Sequence, residues 1–134
     1  GIVALALIWG AFVAGLDAGL IYNRFPGMAP GSLLPALPEH LPVWQWIFSD
    51  PGMVQFAHRW LALFAAALTG LFAWRVRTIV PAWGGALMAL CVLQPLLGIA
   101  TLLSGLTISL ATLHQAGALA LIFVHLGTLR RLGS

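Results

Sequence analysis

The sequence predicts an all-α fold, a transmembrane four-helix bundle, and three observations predict it. Of 134 residues, 61% are hydrophobic and only 7% are Asp, Glu, Lys or Arg, where an ordinary soluble domain is about 25% charged. Four stretches each offer about 20 mostly apolar residues, the length that crosses a hydrocarbon core. Four of the six arginines (Arg75, Arg77, Arg130 and Arg131) fall just beyond the ends of those stretches.

This composition excludes a soluble enzyme, a disordered chain and a nucleic-acid binder. The net charge of +3 reflects a scarcity of acids, which are Asp17, Glu39 and Asp50 alone. The basic residues are six arginines and no lysine, and they form no patch that could track phosphates. The one cysteine, Cys91, lies in an apolar run. It can make no internal disulfide, zinc site or iron–sulfur site, and reads as a small apolar filler.

The first span is expected over 1–22, with Asp17 its only charge. It opens at Gly1 inside an apolar run, with no basic n-region and no cleavage site, so the chain reads as a fragment of a longer protein. The second span is expected over 54–74, the third over 81–103 without a charge, and the fourth over 107–129. Backbone groups in lipid must be satisfied within the segment, so all four are helices. Pro95 inside the third predicts a kink. The positive-inside rule puts the Arg75–Arg77 and Arg130–Arg131 ends on the cytoplasmic or equivalent side. The loop over 23–53 is then outside. It holds six of the eight prolines, which predicts an ordered but irregular path, with a short interfacial helix around Trp44 and Trp46.

Polar residues within spans are costly and point to function. His58 lies about four residues into the second span and His114 about seven into the fourth. The two spans are parallel, so the imidazoles stand at depths of about 6 and 10 Å. Below His58 the same face carries Leu61, Ala62, Ala65 and Ala66; below His114 it carries Gly117, Ala118, Leu121 and Ile122. Such small residues leave room for a flat macrocycle between facing helices, and they also serve plain helix packing. Two imidazoles without a third ligand suit a low-spin haem with two axial histidines, whereas zinc wants three or four ligands. Two separate structural histidines, another metal and a proton relay are the competing readings. Arg59 can meet a haem propionate, pair with Asp17, or reach lipid headgroups. Asp17 can pair with Arg24 or Arg59. His125 falls on nearly the face of His114 but about 16 Å deeper, where packing is expected; His40 is expected in solvent. Gln55, Gln94 and Gln115 are intramembrane amides suited to interhelical hydrogen bonds.

Four runs together resemble one family. They are the run from Gly15 through Asp17, Gly19, Tyr22, Asn23 and Arg24 to Pro26; Met53 through Gln55 to Arg59; Leu93 through Gln94, Pro95 and Gly98 to Leu103; and Ala111 through His114, Gln115 and Gly117 to Leu119. They are similar, in order and across the whole chain, to the fifth to eighth helices of the haem A synthases. The resemblance implies one half of a pseudo-twofold, eight-helix membrane protein, residues 1–134 being the C-terminal half. It implies oxidation of the C8 methyl group of haem O to the formyl group of haem A, for cytochrome oxidase assembly. It implies a haem b on His58 and His114, with Arg59 at a propionate and Gln55 and Gln115 placed to orient the ligands. Haem O then binds mainly through the missing N-terminal half, which carries the other histidine pair and a glutamate implicated in catalysis. No glutamate matching that one lies in these spans, Glu39 being in the loop, and the catalytic residues are unknown. The sequence departs from the family pattern at Ala57, where an acid often precedes the histidine, and at Pro95. The outer loop lacks a cysteine. The expected setting is a bacterial plasma membrane or a mitochondrial inner membrane, with lipid and a second copy as further partners. Two other classes keep the same spans: a small b-type cytochrome or haem-binding anchor for electron transfer, and a purely structural subunit.

Overall fold

The computed structural model describes residues 1–133, and it is all-helical: α1 (Ile2–Gly15), α2 (Trp46–Ser49), α3 (Pro51–Val76), α4 (Pro81–Leu103) and α5 (Ile108–Leu132), with 3-10 turns at Ala18–Leu20 and Val43–Gln45. Three helices, α3, α4 and α5, are long and apolar enough to cross a membrane, and α1 is a shorter apolar helix. The chain is a multi-pass membrane protein. Its surface is correspondingly apolar, with Phe123 at 79% and Ile108 at 84% exposure. Lipid tails take the place that water has around a soluble domain, so burial gives little drive for helix association and close packing takes over.

Each boundary has a local cause. The expected first span runs to residue 22, but the helix ends at Gly15, because Asp17 adopts φ 49° and the chain turns into the Ala18–Leu20 3-10 segment. The second span begins three residues earlier than expected, at Pro51. Asp50 Oδ1 accepts a 2.8 Å hydrogen bond from the Met53 N–H, and Pro51 occupies the first helical position, where its missing donor costs nothing. The third keeps its expected 81–103 bounds and runs unbroken through Pro95, leaving the Cys91 carbonyl without its usual donor. The fourth continues to Leu132, carrying Arg130 and Arg131 in its last turn, where cations suit the carbonyl end.

Packing follows chain order. α3 lies along both α1 and α4, α5 lies along α4, and α1 meets α5 only lightly. α3 and α5 are not close-packed. The buried core is Ala73, Leu87, Cys91 and Leu121, with Phe72, Met88 and Val124 against it. Leu121 is seven residues beyond His114 and Ala73 fifteen beyond His58, or about 10 and 22 Å along their helices. The tight core and the histidines therefore occupy different levels of the bundle.

The segment between α1 and α3 is irregular and tied down. Met28 is fully buried, the Ala36 N–H donates to the Tyr22 hydroxyl, and the Trp46 indole donates to the Leu41 carbonyl at 3.0 Å. The interfacial helix expected here is the short α2 and its 3-10 lead-in, which leave Trp44 exposed. At the α4–α5 turn, Leu106 (φ 60°) packs directly on Gly19, where a Cβ would collide with its side chain.

Candidate cofactor site

His58 follows Pro51, the first residue of α3, by seven residues, and His114 follows Ile108, the first of α5, by six. The earlier start of α3 thus brings the two imidazoles to depths of about 10 and 9 Å below their helix starts, nearer to one level than the sequence suggests. The two rings are within electrostatic reach of each other. They come from helices that are not close-packed against each other.

Each ring sits against a glycine of a neighbouring helix: His58 against Gly10 of α1, and His114 against Gly98 of α4. The Ala6 backbone is within polar reach of His58, and the Gln94 backbone within polar reach of His114. Both Nδ1 atoms are buried without a hydrogen bond of normal geometry. Neither Nε2 makes a hydrogen bond among the described residues, and neither is sealed as the Nδ1 atoms are. Buried polar atoms normally find partners; His125 Nδ1 and Trp9 Nε1 lack one as well, and what sets His58 and His114 apart is that two such imidazoles lie within reach of each other. Below them, Ala62 and Ala66 on α3 and Gly117 and Ala118 on α5 are half-buried, and Ala65 is buried. Two imidazoles flanked by small residues fit a flat macrocycle held between them. No cluster of three or more His, Cys, Asp or Glu exists among the described residues, and the donor set therefore does not suit zinc.

Amides and a guanidinium brace this level. Gln94 Nε2 donates to the His114 carbonyl at 3.2 Å. Its side chain can cross there because Gly117 has no Cβ, which would stand 3.0 Å from that amide nitrogen. Gln55 Nε2 donates to the carbonyls of Gly19 (3.2 Å) and Tyr22 (3.1 Å), fastening the end of the first apolar segment to α3. Gln115, the other amide expected near the ligands, is exposed on the outward side of α5. Arg59 Nη1 donates to the Arg24 carbonyl (2.7 Å) and the Gly27 carbonyl (3.2 Å), and Nη2 to the Tyr22 carbonyl (2.6 Å). Three of its five N–H donors are thus engaged. Asp17 is exposed and makes no ion pair among the described residues, so the pairing with Arg24 or Arg59 considered from sequence does not form. His125 stacks on Phe72 with ring centroids 5.4 Å apart, as packing. His40 is exposed.

The Arg59 bonds carry a prediction. A hydrogen bond from a charged donor contributes about 1.5–3 kcal/mol where it is shielded. Arg59→Ala is expected to free the 22–27 segment and speed its cleavage by limited proteolysis at least about tenfold. Arg59→Lys restores little of this, because one ammonium cannot serve three spread acceptors. Unchanged cleavage in Arg59→Ala would show that the segment is held by its apolar contacts alone.

Sequence reasoning missed Gly10 and Gly98. It looked for small residues along the histidine-bearing helices, whereas these lie across the interface, where no single-helix pattern points to them. Two further cavities lie away from the histidines. One, of about 670 Å³, is lined by Trp83, Phe123 and Arg130 at the arginine-rich end; the other, of about 470 Å³, by Arg24, Phe25 and Leu103 at the loop end.

Known proteins resemble this chain along nearly all of it. The family model described as "Cytochrome oxidase assembly protein" (COX15-CtaA) matches residues 1–126. The protein named Heme A synthase of Rhodospirillum centenum is 41% identical over 98% of this chain and 36% of its own length. Heme A synthase COX15 is 42% identical over 91% of this chain in both Mus musculus and Homo sapiens, covering 31% of each relative. The chain spans about a third of the length of the curated relatives it matches. No solved structure matches it. With its all-helical membrane bundle and a family match over nearly its whole length, the chain belongs to the COX15-CtaA family of cytochrome oxidase assembly proteins.

Proposed function

We propose that this chain is the C-terminal, haem-b-carrying half of a heme A synthase, with His58 and His114 as the two axial ligands. The whole protein would oxidise the C8 methyl group of haem O to the formyl group of haem A. The observation that carries this reading is the pair of orphaned imidazoles at one depth on α3 and α5, in a chain whose relatives bear that enzyme's name. When bound, the haem supplies one-electron redox chemistry.

The chain's own residues then bind and orient. His58 and His114 would hold the haem, and the haem would supply the redox chemistry. The amide of Gln94 fixes the α5 backbone at His114. Gln55 fixes the approach to α3. The two N–H donors that Arg59 keeps unengaged can take one propionate at the loop end. Gln115 faces away from this chain, so its contribution is to a contact with the rest of the polypeptide. The sole glutamate, Glu39, is exposed in the loop. Haem O binding and its oxidation therefore belong to the N-terminal half. Four apolar helices make up this half of a pseudo-twofold eight-helix protein, in a bacterial plasma membrane or a mitochondrial inner membrane. The test is the reduced-minus-oxidised optical spectrum of the whole protein. A low-spin b-type component should be lost in His58→Ala and equally in His114→Ala; a full component in either variant overturns the assignment.

A further inference from the structure

We propose that Gly10 and Gly98 are positioning residues for the two histidines: each lets an imidazole rest on the backbone of the neighbouring helix, and together they set the separation of the rings. The inference rests on the haem reading above and goes beyond it to residues on the two helices that carry no ligand.

The geometry repeats on two separate helix pairs. A Cβ at Gly10 would stand 3.1 Å from His58 Cε1, and a Cβ at Gly98 would stand 3.1 Å from His114 Cε1. In both cases the ring nitrogens are farther, at 3.7 and 3.8 Å for His58 and at 3.7 and 3.4 Å for His114. The same ring carbon, between the two nitrogens, therefore abuts the glycine each time. Ordinary carbon contacts lie near about 3.5–4.0 Å, so an added methyl group forces the ring to move by a few tenths of an ångström. Gly84, Gly117 and Gly127 are also tightly faced, by Arg77, Gln94 and Trp83, but only Gly10 and Gly98 are faced by a histidine, while Gly15 and Gly85 face open space.

The direction of that movement follows from the packing. Behind each ring is a helix backbone that cannot yield as a side chain can. Ahead of the rings, α3 and α5 are not close-packed, and the two imidazoles are within electrostatic reach of each other. A methyl group on Gly10 or Gly98 thus drives its imidazole toward the other imidazole. Ligand tilt and iron–nitrogen geometry are among the levers a protein has on a haem. The glycines consequently act on the haem through the histidines, without touching it.

The test uses the whole protein in membranes, with Gly10→Ala, Gly98→Ala, the double variant, and Gly85→Ala as the reference. Electron paramagnetic resonance g-values and the midpoint potential of the haem assigned to His58 and His114 are read for each. The expected result is a shift of both quantities in each single variant, a larger shift in the double, and none in Gly85→Ala. A merely structural role would lower thermal stability while leaving g-values and potential at their wild-type values, and that outcome overturns the proposal alone. Should Gly10→Ala fail to accumulate, Gly98→Ala tests the same claim on the other helix pair. If His58→Ala leaves the b-type signal intact, the haem reading fails and this inference falls with it.

Discussion

In the whole protein, His58→Ala is expected to abolish the low-spin b-type signal without unfolding the chain, and His114→Ala to do the same. The two parts of this expectation have separate causes. Loss of one axial imidazole leaves the iron with a single strong protein ligand, and among the described residues no other His, Cys or Met stands ready at this level to replace it. Retention of the fold follows from what the rings do not do. Neither Nδ1 makes a normal hydrogen bond, so truncation orphans no partner, and an orphaned partner is the costly part of losing a polar side chain. The tight apolar core lies about 10 Å or more away along the helices. Haem content, optical spectrum and melting temperature measured on one preparation separate the two parts. A variant that keeps its full b-type signal sinks the ligand assignment. A variant that loses signal and fold together would show that the imidazoles support the bundle by packing.

Gly84→Ala is expected to give the largest loss of stability among single-methyl additions in this chain. Its Cβ would stand 2.7 Å from Arg77 Cα and 3.0 Å from Arg77 N. Both obstacles are backbone, so no rotamer change relieves them, and the α3–α4 connection must open. Overpacking of this kind costs about 1–3 kcal/mol, and a rigid obstacle places the effect at the upper end. Gly127 makes an instructive contrast. A methyl group there would overlap the Trp83 ring, yet an indole at a half-open cavity can swing aside. Gly85→Ala, beside Gly84 in sequence but facing open space, is expected to leave the melting temperature unchanged or raise it slightly, since alanine favours a helix interior over glycine. Equal melting temperatures for Gly84→Ala and Gly85→Ala would show that the turn adapts freely.

Much of this arrangement was legible in the residues. The three long spans follow from apolar length, and the histidines could be placed at nearby depths by counting. The start of α3, expected at residue 54, lies at Pro51, and the signal for it was in the sequence: Asp50-Pro51 is a capping residue followed by a first-turn proline. The early end of α1 was not. Apolar residues continue from Leu16 to Tyr22, and hydropathy cannot distinguish a helix from a turn that packs equally well. The turn is fixed by Leu106 closing on Gly19 and by the Gln55 amide reaching the Gly19 carbonyl, both from distant parts of the chain. The partners of Arg59 were hidden for the same reason. Sequence offers charges, such as Asp17, as partners, whereas the folded loop offers three carbonyls. The glycine seats of the histidines depend on helix register, which is set only once the helices pack.

The helix order has a bearing on biosynthesis. Since each long apolar helix packs chiefly on the one made just before it, the bundle can be laid down in the sequence of translation, every new helix finding its docking surface already in the membrane. Such near-neighbour contacts keep the entropic cost of closing loops small. The relation between His58 and His114 is different in kind. It links two helices separated by a third, so the two histidines come together only when α5 has docked on α4. A ribosome stalled before α5 would leave His58 in place with no His114 opposite it, so the proposed ligand pair would form only after α5 has docked on α4.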